Sequence, residues 1–486
     1  MSRPELLLIT PPYHCGVVEV AGRWLPLNLL YVAQAARAAG VEPVLYDAMS
    51  LDVGWDEIRA EIRRRRPAFV ASYAITATIN KCLDLGRVVR EEAPQARYIL
   101  GGVHPTFMWR ELLEEQDSPV DIVVRGEGER TVEELFRALL KGEDLADVAG
   151  LGYRDDAGVV HGTRPRVFLK DLEEYPAAFD IVDWHTYRYF VIPHGRLGAV
   201  ATSRGCNYTC TFCSQQKFWA KSWRGREPQH VVNEVQLLNE KYGANVILFT
   251  DEYPTADPDR WEEILDRIIA LDKELYILLE TRAPDIVRDK AILAKYRKAG
   301  IVHVYVGLEA TDQETLDRIN KDASVDEGRE SLALIREYGM LSETSFVLGF
   351  PDETEESVRR TLKSARYFNP DMAHFLAITP WPYSDLYQEV KDYIAVTDLS
   401  KYNLIEPILA PKAMTLRQID EAIIRCYRDF YIPKMASFHS FPDAFRRRYM
   451  LSSMKLIMTS SFIVEKMGRL GMPAAMRKIL AASEPR

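Results

Sequence analysis

Apolar residues in the first third of the chain come in short runs. "ELLLIT" (5–10), "EPVLYDA" (42–48), "AFVASYAI" (68–75), "RYILGG" (97–102) and "DIVVRG" (121–126) are β-rich and too short for helices, so they read as buried strands. The segments between them, such as "NLLYVAQAARAAG" (28–40) and "KCLDLGRVVREEAP" (81–94), carry the three-to-four-residue apolar period of amphipathic helices. Strand and helix in alternation predict a doubly wound, Rossmann-like parallel sheet over residues 1–145.

Residues 146–195 read as a connector. It holds a hairpin, "GLGYRDDAGVVHGTRPR", around an Asp-Ala-Gly turn, and then the aromatic, Pro-rich "EYPAAFDIVDWHTYRYFVIP". A second α/β series follows over residues 196–395. Its strands are "GAVATSRG", "ANVILFTDE", "LYILLETR", "VHVYVGLEA", "SETSFVLGF" and "MAHFLAITP", separated by helices such as "PQHVVNEVQLLNEKYG". These βα units predict a partial (β/α)6 barrel of the TIM type. Residues 396–486 read as a helical region. Its Met-rich "RRRYMLSSMKLIMTSSFIVEKMGRL" is expected to pack on the barrel, with a lid or interfacial helix as the alternative.

Both architectures put ligands at the C-terminal ends of their strands. In the first series that rim offers Thr10, Asp47, Ser72, Thr76, Gly101, Gly102, His104, Gly126 and Glu127. In the second it offers Asp251, Glu252, Thr281 and Arg282; helix N-capping or a salt bridge is the alternative use of each carboxylate.

Composition narrows the class. The 486 residues carry a net charge of −9, so no nucleic-acid footprint is expected, and the "RRRR" run at 63–66 reads as a solvated helix face. No secretory signal and no apolar run of membrane-spanning length is visible, which predicts a cytoplasmic protein. Six cysteines in such a chain do not read as a disulfide framework, so the thiols are available as ligands.

Three of them, Cys206, Cys210 and Cys213, lie in "SRGCNYTCTFCSQQKFW" with C-x₃-C-x₂-C spacing. Gly205 and Asn207 break a helix there, so the motif is a loop at a strand end. Inert core cysteines and a zinc site are the competing readings; structural zinc takes four ligands, and His194 and His230 stand outside any finger-like spacing. A [4Fe–4S] cube held by three thiolates leaves one iron open to an external ligand.

This stretch, with Phe212 directly before the last cysteine and a strand directly ahead of the loop, resembles the signature of the radical S-adenosylmethionine (SAM) superfamily. "GLEAT" (307–311), "LGFPDET" (348–354) and "TPWPYSDLY" (379–387) are similar to its later barrel segments, Ser384 and Asp385 departing from its usual Thr-Pro-x-Pro-Gly-Thr. The resemblance implies a [4Fe–4S] cluster on the three cysteines and SAM near Phe212, Asp251, Glu252, Thr281, Arg282 and Glu309, with Glu309 facing the ribose. A doubly wound domain ahead of such a barrel resembles the cobalamin-binding class, and its rim residues become cobalamin candidates. A nucleotide-binding or purely structural sheet is the alternative. No D-x-H-x-x-G segment occurs, so the resemblance implies base-off cobalamin without a histidine ligand, and His104 reads as a packing or hydrogen-bonding residue.

"EVAGRWLP", "CSQQKFW", "YRKAGIVHVYVGLEA" and "DLSKYNLIEPILAPKAM" narrow the resemblance to the anaerobic magnesium-protoporphyrin IX monomethyl ester oxidative cyclases. That family closes the isocyclic ring of bacteriochlorophyll without oxygen and takes the keto oxygen from water. Gln216 stands where it usually shows Trp. The resemblance implies a Mg-tetrapyrrole substrate and an electron donor such as flavodoxin or ferredoxin, with peripheral membrane contact left open. Trp219, Trp223, Trp381, Tyr383 and Tyr387 are candidates to stack on the macrocycle, and Lys217, Arg224 and Arg226 to meet its carboxyl groups. Two other readings stand beside it. One is a cobalamin-dependent radical SAM methyltransferase acting on an unactivated carbon, and the other is a non-catalytic cobalamin sensor or carrier.

Overall fold

The computed structural model describes residues 3–14, 20–438, 441, 443–459 and 466. It divides into two compact units, one of Met1–His14, Pro26–Thr186 and Asp398–Ser400, the other of Cys15–Leu25, Tyr187–Thr397 and Lys401–Arg486.

In the first unit, β1 (Glu5–Thr10), β2 (Glu42–Asp47), β3 (Phe69–Tyr73), β4 (Arg97–Gly101) and β5 (Ile122–Val124) are parallel, and β6 (Leu151–Arg154) and β7 (Val160–Gly162) add an antiparallel hairpin. The sheet order is β2-β1-β3-β4-β5-β6-β7. Side-chain alternation buries both faces: Leu6 and Leu8 of β1 pack in one core, Leu7 and Ile9 in the other. The five expected strands are present in doubly wound order. The hairpin is also present, but it continues this sheet instead of standing apart as a connector. Trp109 explains the seating, because a Cβ on Gly152 or Gly162 would collide with its ring.

The second unit contains β8 (Arg188–Tyr189), β9 (Gly195–Val200), β10 (Ser203–Gly205), β11 (Trp223–Gly225), β12 (Val246–Phe249), β13 (Tyr276–Arg282), β14 (Ile301–Glu309), β15 (Leu341–Leu348) and β16 (Met372–Ala377). Its main sheet runs β16-β15-β14-β13-β12-β9-β8. The six strands from β9 to β16 are parallel, as a partial (β/α)6 barrel requires; β8 closes one edge antiparallel, and β10 pairs with β11 as a separate ribbon. The crossover helices begin on strong start signals. Asp257 caps Pro258–Ala270 with proline in its first turn, and Ser324 and Thr354 cap Val325–Glu337 and Glu355–Phe368.

Alternation along β14 defines the inner face: Tyr305, Gly307 and Glu309 are half-buried, while Val304, Val306 and Leu308 are buried beneath the helices. At the N-terminal end of the lumen, His303 Nε2 lies 2.9 Å and His374 Nε2 2.6 Å from the carboxylate of Glu343. Tyr449, on the C-terminal helix Ala444–Thr459, reaches this cluster, its hydroxyl 2.8 Å from His303 Nδ1 and hydrogen-bonded to Tyr189. The described start of the Met-rich stretch therefore packs on the barrel, with Met450 and Met454 buried. Apart from Lys466, its remainder from residue 460, and with it the lid or interfacial reading, lies outside the described residues.

Candidate cluster and cofactor sites

The cysteine loop leaves β10 and ends in the short helix Gln215–Phe218. Cys206, Cys210 and Cys213 are all half-buried, and a turn from Cys210 O to Cys213 N (3.1 Å) folds the last two together. Burial raises all three thiols, Cys213 to about 12. The nearby cations Lys321 and Arg282 pull Cys210 the other way. Protonated thiols in a desolvated loop are inert until a metal displaces their protons.

Carboxylates hold this loop in place. Glu252 accepts from Trp219 Nε1 (2.9 Å) and Gly205 N (3.2 Å), bracketing the motif from both ends. Asp251 accepts from Thr202 N (2.8 Å), Thr202 Oγ1 (2.8 Å) and Ser203 Oγ (2.5 Å). Burial pushes both carboxyls up, and these donors pull them back. Asp251 is 2% exposed, so its oxygens serve the protein. Thr281 shares a 2.6 Å hydrogen bond with Thr255, which donates to Asp285 (2.7 Å). Arg282 is buried over the ring of Tyr208, 3.2 Å from its centroid, and donates to Asp322 O.

Glu309 ends β14 with φ +64°, a left-handed conformation that a non-glycine residue adopts at a cost. Its carboxylate meets Lys321 Nζ (3.1 Å) and Ser345 Oγ (3.2 Å). Lys321 also lies 6.0 Å from the centre of the Phe212 ring. The rim of this unit thus gathers Cys206, Cys210, Cys213, Phe212, Glu252, Arg282 and Glu309. Asp251 and Thr281 sit beneath it as supports.

On the first unit's rim, Gly102 (φ +104°) is a place only glycine fits, because a Cβ would strike the Ala74 backbone at 2.5 Å. A Cβ on Gly126 (φ +74°) would meet nothing within 4 Å, so that glycine faces open space, and its N–H donates to Thr106 Oγ1 (2.9 Å), which in turn donates to Gly102 O (2.7 Å). Thr10 donates to Asp47, which caps Ala48–Leu51 through Ser50 N (3.1 Å). Thr76 Oγ1 lies 3.1 Å from His104 Nδ1, and burial lowers the His104 ring to about 4. Ser72 faces inward to Cys82 (3.7 Å), and Glu127 accepts from Leu169 N (2.6 Å). The rim's open part is therefore Gly126 and the backbone around it, Gly102 packs tightly on Ala74, and Ser72, Asp47 and Glu127 brace the rim from within.

Comparison with known proteins matches residues 200–365 to the radical SAM superfamily and residues 13–136 to the B12 binding domain. The anaerobic magnesium-protoporphyrin IX monomethyl ester cyclase of Rubrivivax gelatinosus is 35% identical over 466 residues, covering 94% of this chain and 83% of that protein. The chain belongs to the cobalamin-binding radical SAM family of these cyclases. An uncharacterized methyltransferase of Pyrococcus horikoshii is 30% identical, covering 90% of this chain and 94% of that one. The fold matches a radical SAM methyltransferase, TsrM, from Kitasatospora setae, solved with cobalamin and a [4Fe–4S] cluster, at TM-score 0.70 and 18% identity over all of both chains.

As a radical SAM, B12-binding family member, the chain is an enzyme that uses a [4Fe–4S] cluster, SAM and cobalamin. Its residues fit them. Three thiols stand on one loop, and the other described cysteines, Cys82 and Cys426, are buried elsewhere. The open glycine rim suits a bulky corrin, and backbone N–H groups suit its polar edges.

Two departures from the family pattern meet each other. Gln216, 3% exposed, donates to Asp385 Oδ2 (2.9 Å) and Cys210 O (3.0 Å), and Lys217 pairs with Asp385 at 2.6 Å. Three residues stand apart from their expected macrocycle roles, Tyr383 among them at 9% exposure. Arg226 is spent on a buried pair with Glu234 (2.9 Å), on Ala201 O (2.8 Å) and on no exposed face. Trp219 is 9% exposed and braces the cysteine loop. Lys321, Tyr208, Ser345 and Glu280 were missed from the sequence. Of these only Glu280 had a readable signal, an acid inside the apolar strand "LYILLETR".

Proposed function

We propose that this chain is an oxidative cyclase that closes the isocyclic ring of magnesium-protoporphyrin IX monomethyl ester without oxygen, taking the keto oxygen from water. The observation that carries this reading is 35% identity over 94% of the chain with a cyclase of that name. When bound, the cluster with SAM supplies a 5′-deoxyadenosyl radical able to take hydrogen from an unactivated carbon, and cobalamin supplies a redox or adding partner.

The chain's own groups position this chemistry. Cys206, Cys210 and Cys213 hold iron, and Glu252 and Asp251 fix their loop. Phe212, Arg282, Glu309 and Lys321 would hold SAM, with Glu309 the candidate for its ribose. The Gly101, Gly102 and Gly126 rim, with Thr76 and His104 beside it, takes the corrin. Half-buried Trp381 and Tyr387 offer flat faces to the macrocycle. We assign residues 1–145 to the corrin domain, together with the hairpin strands β6 and β7 that extend its sheet, the rest of 146–195 to the connector, 196–395 to the radical SAM barrel and 396–486 to the helical region. A low-potential flavodoxin or ferredoxin in a reducing cytoplasm delivers electrons. No described helix is long and apolar enough to cross a membrane, and contact with a membrane surface would bring in the apolar substrate.

The second reading, a C-methyltransferase, is favoured by the Pyrococcus relative. Product stoichiometry separates the two. Cyclisation yields 5′-deoxyadenosine without matching S-adenosylhomocysteine, whereas equal amounts of both with a methylated tetrapyrrole would replace the cyclase reading.

A further inference from the structure

Glu280 is a carboxylate in the middle of a buried parallel strand. Its chain neighbours Leu279 and Thr281 are 3% and 4% exposed beneath the helices, yet Glu280 itself is open to water while enclosed by the wall of the half-barrel. Side-chain alternation resolves the contrast: Glu280 projects from the opposite face of β13 into the lumen of the half-barrel. The register confirms its place, since Glu280 stands beside Tyr305 of β14, and Tyr305 beside Glu343 of β15.

These lumen carboxylates are treated in opposite ways. Glu343 is clasped by His303 and His374, which overcome its burial and hold its carboxyl well below the usual range. Glu309 is paired with Lys321 and Ser345. Glu280 is paired with nothing among the described residues. Tyr305 and Glu309 of β14, Glu343 of β15, Glu252 after β12 and Lys321 are the titratable groups around it. Desolvation and the negative charge of Glu309 push its carboxyl up to about 7. Two carboxyls with opposed environments in register on one face of a sheet are the arrangement that separates a fixed charge from a proton-exchanging group.

We propose that Glu280 is the group in the barrel lumen that exchanges a proton with the substrate, taking it from the water that enters the reacting side chain; this rests on the cyclase reading above. In the redox-neutral step it serves, a water oxygen bonds to the β-carbon of an α,β-unsaturated ester. The π pair shifts to the carbon beside the ester carbonyl. One O–H bond breaks, its electron pair stays on the new hydroxyl oxygen, and its proton passes to a Glu280 oxygen. The resulting carboxylic acid returns that proton to the adjacent carbon. Water is added and no electron is gained or lost. The unpartnered oxygens of Glu280 suit this task, because no internal hydrogen bond must break first.

The test compares wild type, Glu280→Gln and Glu280→Asp in the full chain. Infrared titration of the protein without substrate is expected to show a carboxyl band titrating near pH 7 in wild type and absent from Glu280→Gln. With magnesium-protoporphyrin monomethyl ester and reductant, Glu280→Gln is expected to bind SAM within about twofold of wild type and to release 5′-deoxyadenosine. Its cyclised product should fall about a hundredfold while the unsaturated ester accumulates, and Glu280→Asp should recover part of the yield. A Glu280→Gln variant with wild-type yield and pH profile would overturn the proposal. So would a SAM affinity weakened about tenfold, which would make Glu280 a SAM contact. If wild type forms no cyclised product the cyclase reading fails instead, and absence of the titrating band then overturns the role of Glu280 independently.

Discussion

Replacing Glu252 by alanine tests whether the cysteine loop is held in shape before any cofactor arrives. Glu252 accepts from Trp219 Nε1 at 2.9 Å and Gly205 N at 3.2 Å. A hydrogen bond to a charged acceptor contributes about 1.5–3 kcal/mol, so the pair is worth about 3–6 kcal/mol gross. Burial raises this carboxyl, so removing it also relieves a desolvation cost. We expect a net local loss of about 2 kcal/mol, or about thirtyfold faster opening of the loop. Hydrogen exchange of residues 203–219 in the metal-free chain reads this directly, and iron and sulfide content after anaerobic reconstitution should fall in parallel. Trp219→Phe removes a single donor and should give about half the effect. Unchanged exchange and full iron loading in Glu252→Ala, with only SAM affinity lost, would refute the clamp and make Glu252 a SAM ligand.

Gly102→Ala places a Cβ against the Ala74 backbone at φ +104°; it should destabilise the first unit by about 3 kcal/mol in thermal unfolding and abolish cobalamin retention after gel filtration. Glu343→Gln breaks a buried His–Glu–His cluster and should cost about 3 kcal/mol in urea unfolding at neutral pH. Because the folded carboxyl titrates below its unfolded value, its stabilisation is present above the ordinary carboxylate range and lost as pH falls through the folded value, so the gap between variant and wild type should shrink in acid. Gln216→Ala removes bonds to Asp385 and Cys210 O and should lower cluster content without altering cobalamin binding, as read by iron analysis and corrin absorbance.

Much of the fold was legible because buried parallel strands announce themselves as short apolar runs. The five parallel strands of the first sheet and the six parallel barrel strands fall where those runs lie. The hairpin's place in the first sheet was not legible, since it depends on Trp109 fitting against Gly152 and Gly162, a contact between distant residues. The cysteine loop was legible because its chemistry lies within eight consecutive residues, Cys206 to Cys213. Lys321 was not, because it follows the helix Gln313–Arg318 and meets Glu309 only when that connection folds back onto the end of β14. Strand-end acids could be listed from sequence, but their division into support and rim depends on partners. Asp251 is saturated by Thr202 and Ser203, whereas Glu309 faces Lys321 and Ser345.

The central claim is that this fold turns a propionate ester into a ring ketone using water. The most direct measurement is an anaerobic reaction of the reconstituted chain with SAM, reductant and magnesium-protoporphyrin IX monomethyl ester in ¹⁸O-water, analysed by mass spectrometry. The expected result is a cyclised product carrying a single heavy oxygen, absent from Cys206→Ala. A product heavier by a methyl group with no heavy oxygen would contradict it.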